Sequence, residues 1–372
     1  MNTPAIPTLM VIPTGIGCAI GGYAGDAIPS ARLLAAASGC LITHPNVMNG
    51  ASLYWSDSRI HYVEGYGIDR FAAGEIYLRP VRQQKIGILF DSGLETNLLE
   101  RHMQVIDACR ASLGLNIGPI VKTNTPLEII LQKGSSGVSW GEIGEPDVLI
   151  SAGEKLKELG ATAIAIVSRF PDELNSEAVD LYRRGEGVDA LAGAEAIISH
   201  LLVRQLMLPC AHSPALATLP LDYNLDPRAA AEDLGYTFLT SVLVGLNRAP
   251  DLIPISEYQI KSNKVLSTDE FLKPSSLGAI VVPEGALGGE AVLACLEREV
   301  PVIAVKNSNL LKLNSASFKI DNNLINPEVN ILHAMNYAEA AGLLISLREG
   351  LNPTSLYRPL GSVNREFSSD FS

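Results

Sequence analysis

Four side chains of this 372-residue chain have the types and settings for proton transfer or nucleophilic attack: His44, Cys210, His212 and Glu284. Each stands where an apolar run gives way to turn residues, the place where open α/β sheets present ligands. Cys210 and His212 lie two apart in Leu-Pro-Cys-Ala-His-Ser-Pro and share a face of an extended strand. A thiol beside an imidazole is a nucleophile or a proton-transfer pair; a small core thiol beside a turn histidine fits the same spacing. His44 opens His-Pro-Asn-Val-Met-Asn, where Asn46 and Asn49 either turn the backbone or orient a polar ligand. Glu284 closes Ala-Ile-Val-Val-Pro, where a carboxylate serves as a base or simply as a solvated loop acid.

Two glycine-rich loops accompany these groups. The first, Pro-Thr-Gly-Ile-Gly-Cys from residue 13, offers Thr14, Gly15, Gly17 and Cys18 to a ligand, since backbone N–H groups ahead of a helix favour anions. It is no dinucleotide fingerprint, because the third glycine of G-x-G-x-x-G would fall on Ile20, and no Walker lysine follows. The second loop offers Gly288 and Gly289. Arg169 and Lys306, each at the end of an apolar run, are the expected partners of an anionic group. Cys18 and Cys210, one on each side of a cleft, would suit proton removal and return by opposed thiols, as in Asp/Glu-type racemases, although the residues after each cysteine differ from that pattern. No redox cofactor is indicated. A divalent metal on His44, His212 and Glu284 is a lesser alternative, since none of these spacings is diagnostic.

Strands and helices must alternate to place these loops. Near-continuous apolar runs at 9–12, 40–43, 85–90, 117–122, 162–167, 206–209, 279–282 and 302–305 predict parallel strands buried on both faces. Helical patterns cover 29–37, 96–113, 147–159, 190–205, 227–234, 290–299 and 334–347. The expected fold class is α/β, with mostly parallel, doubly wound sheets in two lobes and a cleft between them. Polar stretches at 79–85 and 259–264 read as crossings. They divide the chain into one lobe of residues 1–82 plus 263–350, a second of residues 83–262, and a polar tail from 351 to 372.

Composition narrows the partners. The net charge of −12 argues against nucleic acid, whose phosphates require clustered Lys and Arg. No run approaches the roughly 20 apolar residues of a membrane helix, and no signal-peptide pattern opens the chain. Five dispersed cysteines without a C-x-x-C pair read as free thiols of a reducing, cytoplasmic setting. With 47% hydrophobic and 18% charged residues, the chain has apolar surface to spare for a homo-oligomer.

The segments Pro-Thr-Gly-Ile-Gly-Cys-Ala-Ile-Gly-Gly-Tyr-Ala-Gly-Asp from residue 13, Thr-His-Pro-Asn-Val-Met-Asn-Gly from 43, Gly-Glu-Gly-Val-Asp-Ala-Leu-Ala-Gly-Ala-Glu from 185 and Pro-Cys-Ala-His-Ser-Pro-Ala from 209 resemble an uncharacterised conserved family of cyanobacteria and plant plastids. The resemblance reaches to about residue 350. It implies a phototroph's cytosol and supplies no activity. The residues themselves lead to an enzyme working on a small anionic metabolite by acid–base or thiol chemistry, as an isomerase, lyase or amide hydrolase. The alternative is a non-catalytic small-molecule-binding or assembly protein acting through a protein partner.

Overall fold

A computed structural model describes residues 4–13, 15–21, 23, 25–49, 57–133, 139–171, 177–217, 221–233, 237–256, 271–308, 331–356 and 358–360. Thr14, the crossing expected at 259–264 and most of the expected tail lie outside them. The strands are β1 (Ile6–Met10), β2 (Gly39–Thr43), β3 (Ile60–Tyr62), β4 (Ile76–Arg79), β5 (Ile86–Phe90), β6 (Ile117–Lys122), β7 (Ile129–Lys133), β8 (Ser139–Ile143), β9 (Ala163–Arg169), β10 (Cys210–Ala215), β11 (Asp251–Pro254), β12 (Ala279–Pro283), β13 (Val302–Val305) and β14 (Ile331–Ala334). The helices are α1 (Ile28–Ser38), α2 (Pro45–Met48), α3 (Gly65–Ala72), α4 (Thr96–Leu113), α5 (Pro146–Glu158), α6 (Glu177–Arg183), α7 (Ala192–Leu206), α8 (Ala230–Asp233), α9 (Thr237–Asn247), α10 (Glu290–Glu297) and α11 (Tyr337–Arg348).

Two parallel sheets carry the fold, as the α/β pattern predicts. One has the order β14-β13-β12-β1-β2-β3, the other β10-β9-β5-β6. In the first, Leu9 stands opposite Ile280 on one side and Ile42 on the other. In the second, Ile88 stands opposite Ala165. The central strands are buried on both faces, which is why they read as unbroken apolar runs: every residue of β5 and of β12 is buried. The six-stranded sheet draws on residues 6–62 and 279–334, and the four-stranded sheet on residues 86–215.

A two-stranded antiparallel ribbon of β4 and β11 lies beside the crossing at 79–85. That crossing is tied down. Arg79 Nη2 meets Asp251 Oδ2 at 2.5 Å. The buried Gln84 amide donates to Ala249 O at 2.8 Å and to Asp251 Oδ1 at 2.9 Å. A continuous core of buried side chains includes residues of both sheets, from Leu9 and Ile42 to Ile88 and Ile166.

One expected strand is displaced. The apolar run 206–209 ends α7 instead, with Met207 in the left-handed conformation (φ 51°), and the strand begins at Cys210. Its sequence, Cys-Ala-His-Ser-Pro-Ala, looks like a polar turn, yet all six residues are buried. Among the described strands β10 pairs with β9 alone, so Pro214 costs no ladder bond on its other edge. The helix expected to start at Pro227 starts at Ala230 and is described to Asp233.

Candidate functional site

His44 follows directly on β2, where Pro45 at the first helical position starts α2. The backbone N–H of Ile12, just past β1, donates to His44 Nε2 at 2.9 Å. With Nε2 accepting, Nδ1 carries the ring hydrogen and the imidazole is neutral. Burial keeps it so, lowering its pKa to about 4. Beyond it, Asn46 Nδ2 donates to Gly21 O at 2.8 Å, and Asn49 Oδ1 accepts the Tyr62 hydroxyl at 2.9 Å. The helical turn after β2 is therefore fastened to the first glycine loop and to β3.

His212 lies in the middle of β10. Its Nε2 is 2.5 Å from Ser168 Oγ on β9, and Phe170 packs against the ring at a centroid distance of 5.1 Å. The other nitrogen, Nδ1, is buried and has no hydrogen-bond partner. Burial lowers the imidazole pKa to about 3. Ser168 is itself fully buried and orients the ring through this contact.

His44 and His212, from the two different sheets, line one pocket of about 110 Å³. Asn46, Asn49 and Glu64 line it beside His44, and Asp189, Glu195 and Ser199 line it beside His212. Glu64 caps α3, accepting the Tyr66 amide at 2.8 Å, and its other oxygen lies 3.5 Å from His200 Nδ1. The carboxylate raises the His200 pKa. Asp189 accepts the amides of Leu191 and Ala192 as α7 begins, while burial raises its pKa above the usual carboxylate range. The start of α7 is set by glycine: a Cβ at Gly193 would stand 2.5 Å from the Ser139 carbonyl of β8. Ser139 N–H in turn donates to Gly15 O at 3.0 Å. Small residues there bring the first glycine loop, the β7–β8 hairpin and α7 within backbone contact.

Of the expected residues, His44, Asn46, Asn49 and His212 meet in this pocket; the other described ones stand elsewhere. Cys210 is a buried core thiol whose hydrogen goes to Leu208 O at 3.3 Å, and burial raises its pKa well above that of a free thiol. Glu284 stands 3.5 Å from His333 Nδ1. The guanidinium of Arg169 is held by Glu95 at 2.9 Å, and its amide bonds Asp91. Lys306 is exposed past β13. Gly288 and Gly289 precede α10, where the Ala291 amide is already taken by Asp69 Oδ1 at 3.1 Å. Gly15 and Gly17 have φ of 75° and 63°, and Cys18 is buried. All five cysteines are free and buried. Among the described residues no group of three or more His, Cys, Asp or Glu could hold a metal ion, so the set His44, His212 and Glu284 is not assembled.

The carboxylates of the pocket escaped sequence reasoning. Asp189 immediately precedes the helix predicted at 190–205, the place of a capping acid, which was the available signal. Glu195 and Ser199 have only helical spacing to mark them.

The chain belongs to a family described as Protein of unknown function (DUF3326), whose model matches residues 7–357. An uncharacterized lipoprotein of Synechococcus sp. is 46% identical over 353 residues, covering 95% of this chain and 93% of the relative. No solved structure matches the chain. Among the described residues no helix is long and apolar enough to cross a membrane.

Proposed function

We propose that the protein is an enzyme that moves protons on a small metabolite held between His44 and His212. One observation carries this reading: two buried neutral imidazoles from different sheets line one small pocket with three carboxyl side chains, and one imidazole nitrogen there lacks a partner. A buried unsatisfied nitrogen costs about 1–3 kcal/mol, and a substrate atom that supplied its partner would recover that energy. His44, with Nε2 engaged, offers Nδ1–H as a donor. His212, steered by Ser168, supplies the base. Asp189, with its raised pKa, can return a proton.

The substrate is small, because the pocket lies below the roughly 300–1,000 Å³ of ordinary ligand sites. The described lining has Glu64, Asp189 and Glu195 but no lysine or arginine. The reacting part of the substrate is therefore neutral or cationic, with any anionic group held outside this pocket. Isomerase, lyase and amide hydrolase chemistry all fit proton transfer of this kind, and Cys210 drops out as a nucleophile in the proposal.

Native mass spectrometry of the purified protein, with His44→Ala and His212→Ala beside it, tests the reading. We expect a small-molecule adduct on the wild type that both variants lose while keeping their circular dichroism. Adducts the size of a protein chain, insensitive to both substitutions, would replace it with the assembly-factor reading. That second reading draws support from Leu351, Leu356 and Leu360, which are 51–63% exposed near the end of the described chain and could seat a partner or a second copy.

We place the protein in the cytoplasm. Free, buried cysteines support that setting, whereas the name of the Synechococcus relative points to lipid attachment. Processing of this chain ahead of Cys18 to lipidate that cysteine would remove β1, which is buried between β12 and β2.

A further inference from the structure

A second, larger cavity of about 710 Å³ opens at the outer edge of β3. Its walls come from β3, the segment after β4, and the C-terminal ends of α4 and α9. Ile60, Val81, Leu113, Leu115 and Val244 make much of its lining apolar. Two arginines, Arg82 and Arg248, also line it and are exposed. Among the described residues neither makes a hydrogen bond or an ion pair. The carboxylate in the lining, Asp57, is already neutralised by Arg59, at 2.8 Å to Nε and 2.6 Å to Nη2. His61 is held neutral, its pKa lowered to about 4 by burial. Asn247 Oδ1 is buried in the wall and has no hydrogen-bond partner.

We infer that this cavity binds an amphipathic acid, a molecule with a hydrocarbon or aromatic body and a carboxylate or phosphate head. The volume falls within the roughly 300–1,000 Å³ of small-molecule sites, which are mostly apolar with a few polar groups to fix orientation. Two guanidinium groups at one cavity provide the forked donors that anionic oxygens accept in pairs. The helix ends of α4 and α9 present carbonyl groups, which disfavour anions, and Arg248, directly after α9, sets a full positive charge against that effect. The head therefore belongs beside the arginines, and the body lies along the aliphatic wall.

The test uses the full chain and isothermal titration with decanoate below its micellar range, with decanol and acetate as controls. The expected result is saturable binding of decanoate with one site, at least tenfold tighter than either control. The double substitution Arg82→Gln and Arg248→Gln, at exposed positions that leave the fold intact, should weaken decanoate tenfold or more and leave decanol unchanged. Val244→Trp, which fills the aliphatic wall, should weaken both; an unchanged thermal midpoint in the arginine variant keeps the result interpretable if the tryptophan variant misfolds. Equal binding of decanoate and decanol, or decanoate binding untouched by loss of both arginines, would overturn the inference.

Discussion

The imidazole of His44 accepts the amide hydrogen of Ile12 at 2.9 Å, so the residue just past β2 is bonded to the chain leaving β1. β1 lies at the centre of the six-stranded sheet, and β2 runs between it and the edge strand β3. The bond fixes which nitrogen faces outward and makes the ring part of the sheet's own closure. His44→Ala leaves the Ile12 amide buried without an acceptor, and should cost about 1–3 kcal/mol in denaturant unfolding. His44→Gln, whose amide oxygen can accept the same hydrogen, should recover part of that loss without restoring activity. Equal stability of wild type and both variants would contradict the assignment of the bond.

Ser168 and His212 form a second such pair. Ser168→Ala removes the partner of Nε2 and leaves both ring nitrogens without one. We expect a stability loss of about 1–2 kcal/mol and a change in the His212 tautomer population, read from its ¹⁵N chemical shifts. Unchanged shifts would show that the serine does not orient the ring.

Acid should destabilise the protein through its buried histidines. Unfolded, His44 and His212 take up protons as the pH falls through the ordinary value of 6.5; folded, they do so only near about 4 and about 3. Over that interval the unfolded chain binds more protons, so stability falls with falling pH. Asp26 and Asp69 act in the opposite sense. Burial raises both from 3.8 to about 6, so the folded carboxyls take protons first and gain stability as the pH drops from 6 to 3.8. The histidine contribution is isolated by His212→Gln, which should lose about 2 kcal/mol less than the wild type between pH 7 and pH 5. Parallel stability–pH curves for the two proteins would refute a neutral buried His212.

Gly193→Ala tests the seating of α7. The new methyl would stand 2.5 Å from Ser139 O and from Trp140 Cα, both backbone atoms that cannot swing aside. A loss of about 3 kcal/mol is expected, together with weakened ligand binding, because Asp189, Glu195 and Ser199 move with the helix start. A variant as stable as the wild type would mean that the hairpin yields freely.

Intact-mass measurement of the protein isolated from its native cells addresses the question of processing. The residues ahead of Cys18 should be retained and Cys18 should carry no lipid. A mass showing an acylated chain beginning at Cys18 would refute the cytoplasmic placement and require the six-stranded sheet to form without β1.

The two parallel sheets were readable in sequence because their central strands are buried on both faces and so run unbroken in Val, Ile, Leu and Ala, as in Ile86–Phe90 and Ala279–Pro283. β10 was misplaced for the opposite reason: Cys-Ala-His-Ser-Pro-Ala is buried by packing against β9, α7 and α9, a tertiary fact with no local pattern. Short edge pieces such as Ile60–Tyr62 are too brief to show a period. The lining of the candidate pocket was legible where a residue sits just past a strand, as with His44. It was hidden where a helix start supplies the group, as with Asp189 and Glu195. Spacing alone does not distinguish a reactive thiol from one sealed in the core, where Cys210 lies.

The place of β1 also sets an order of assembly. Its neighbours are β2, made soon after, and β12, which begins only at Ala279. The four-stranded sheet has all its strands once Ala215 has left the ribosome, while the six-stranded sheet must wait until Ala334. During that wait an edge of β1 faces the solvent with its ladder groups unpaired, a template for aggregation. The nascent protein is thus most vulnerable in the long interval when its first strand has been made and the strand that will cover that edge has not.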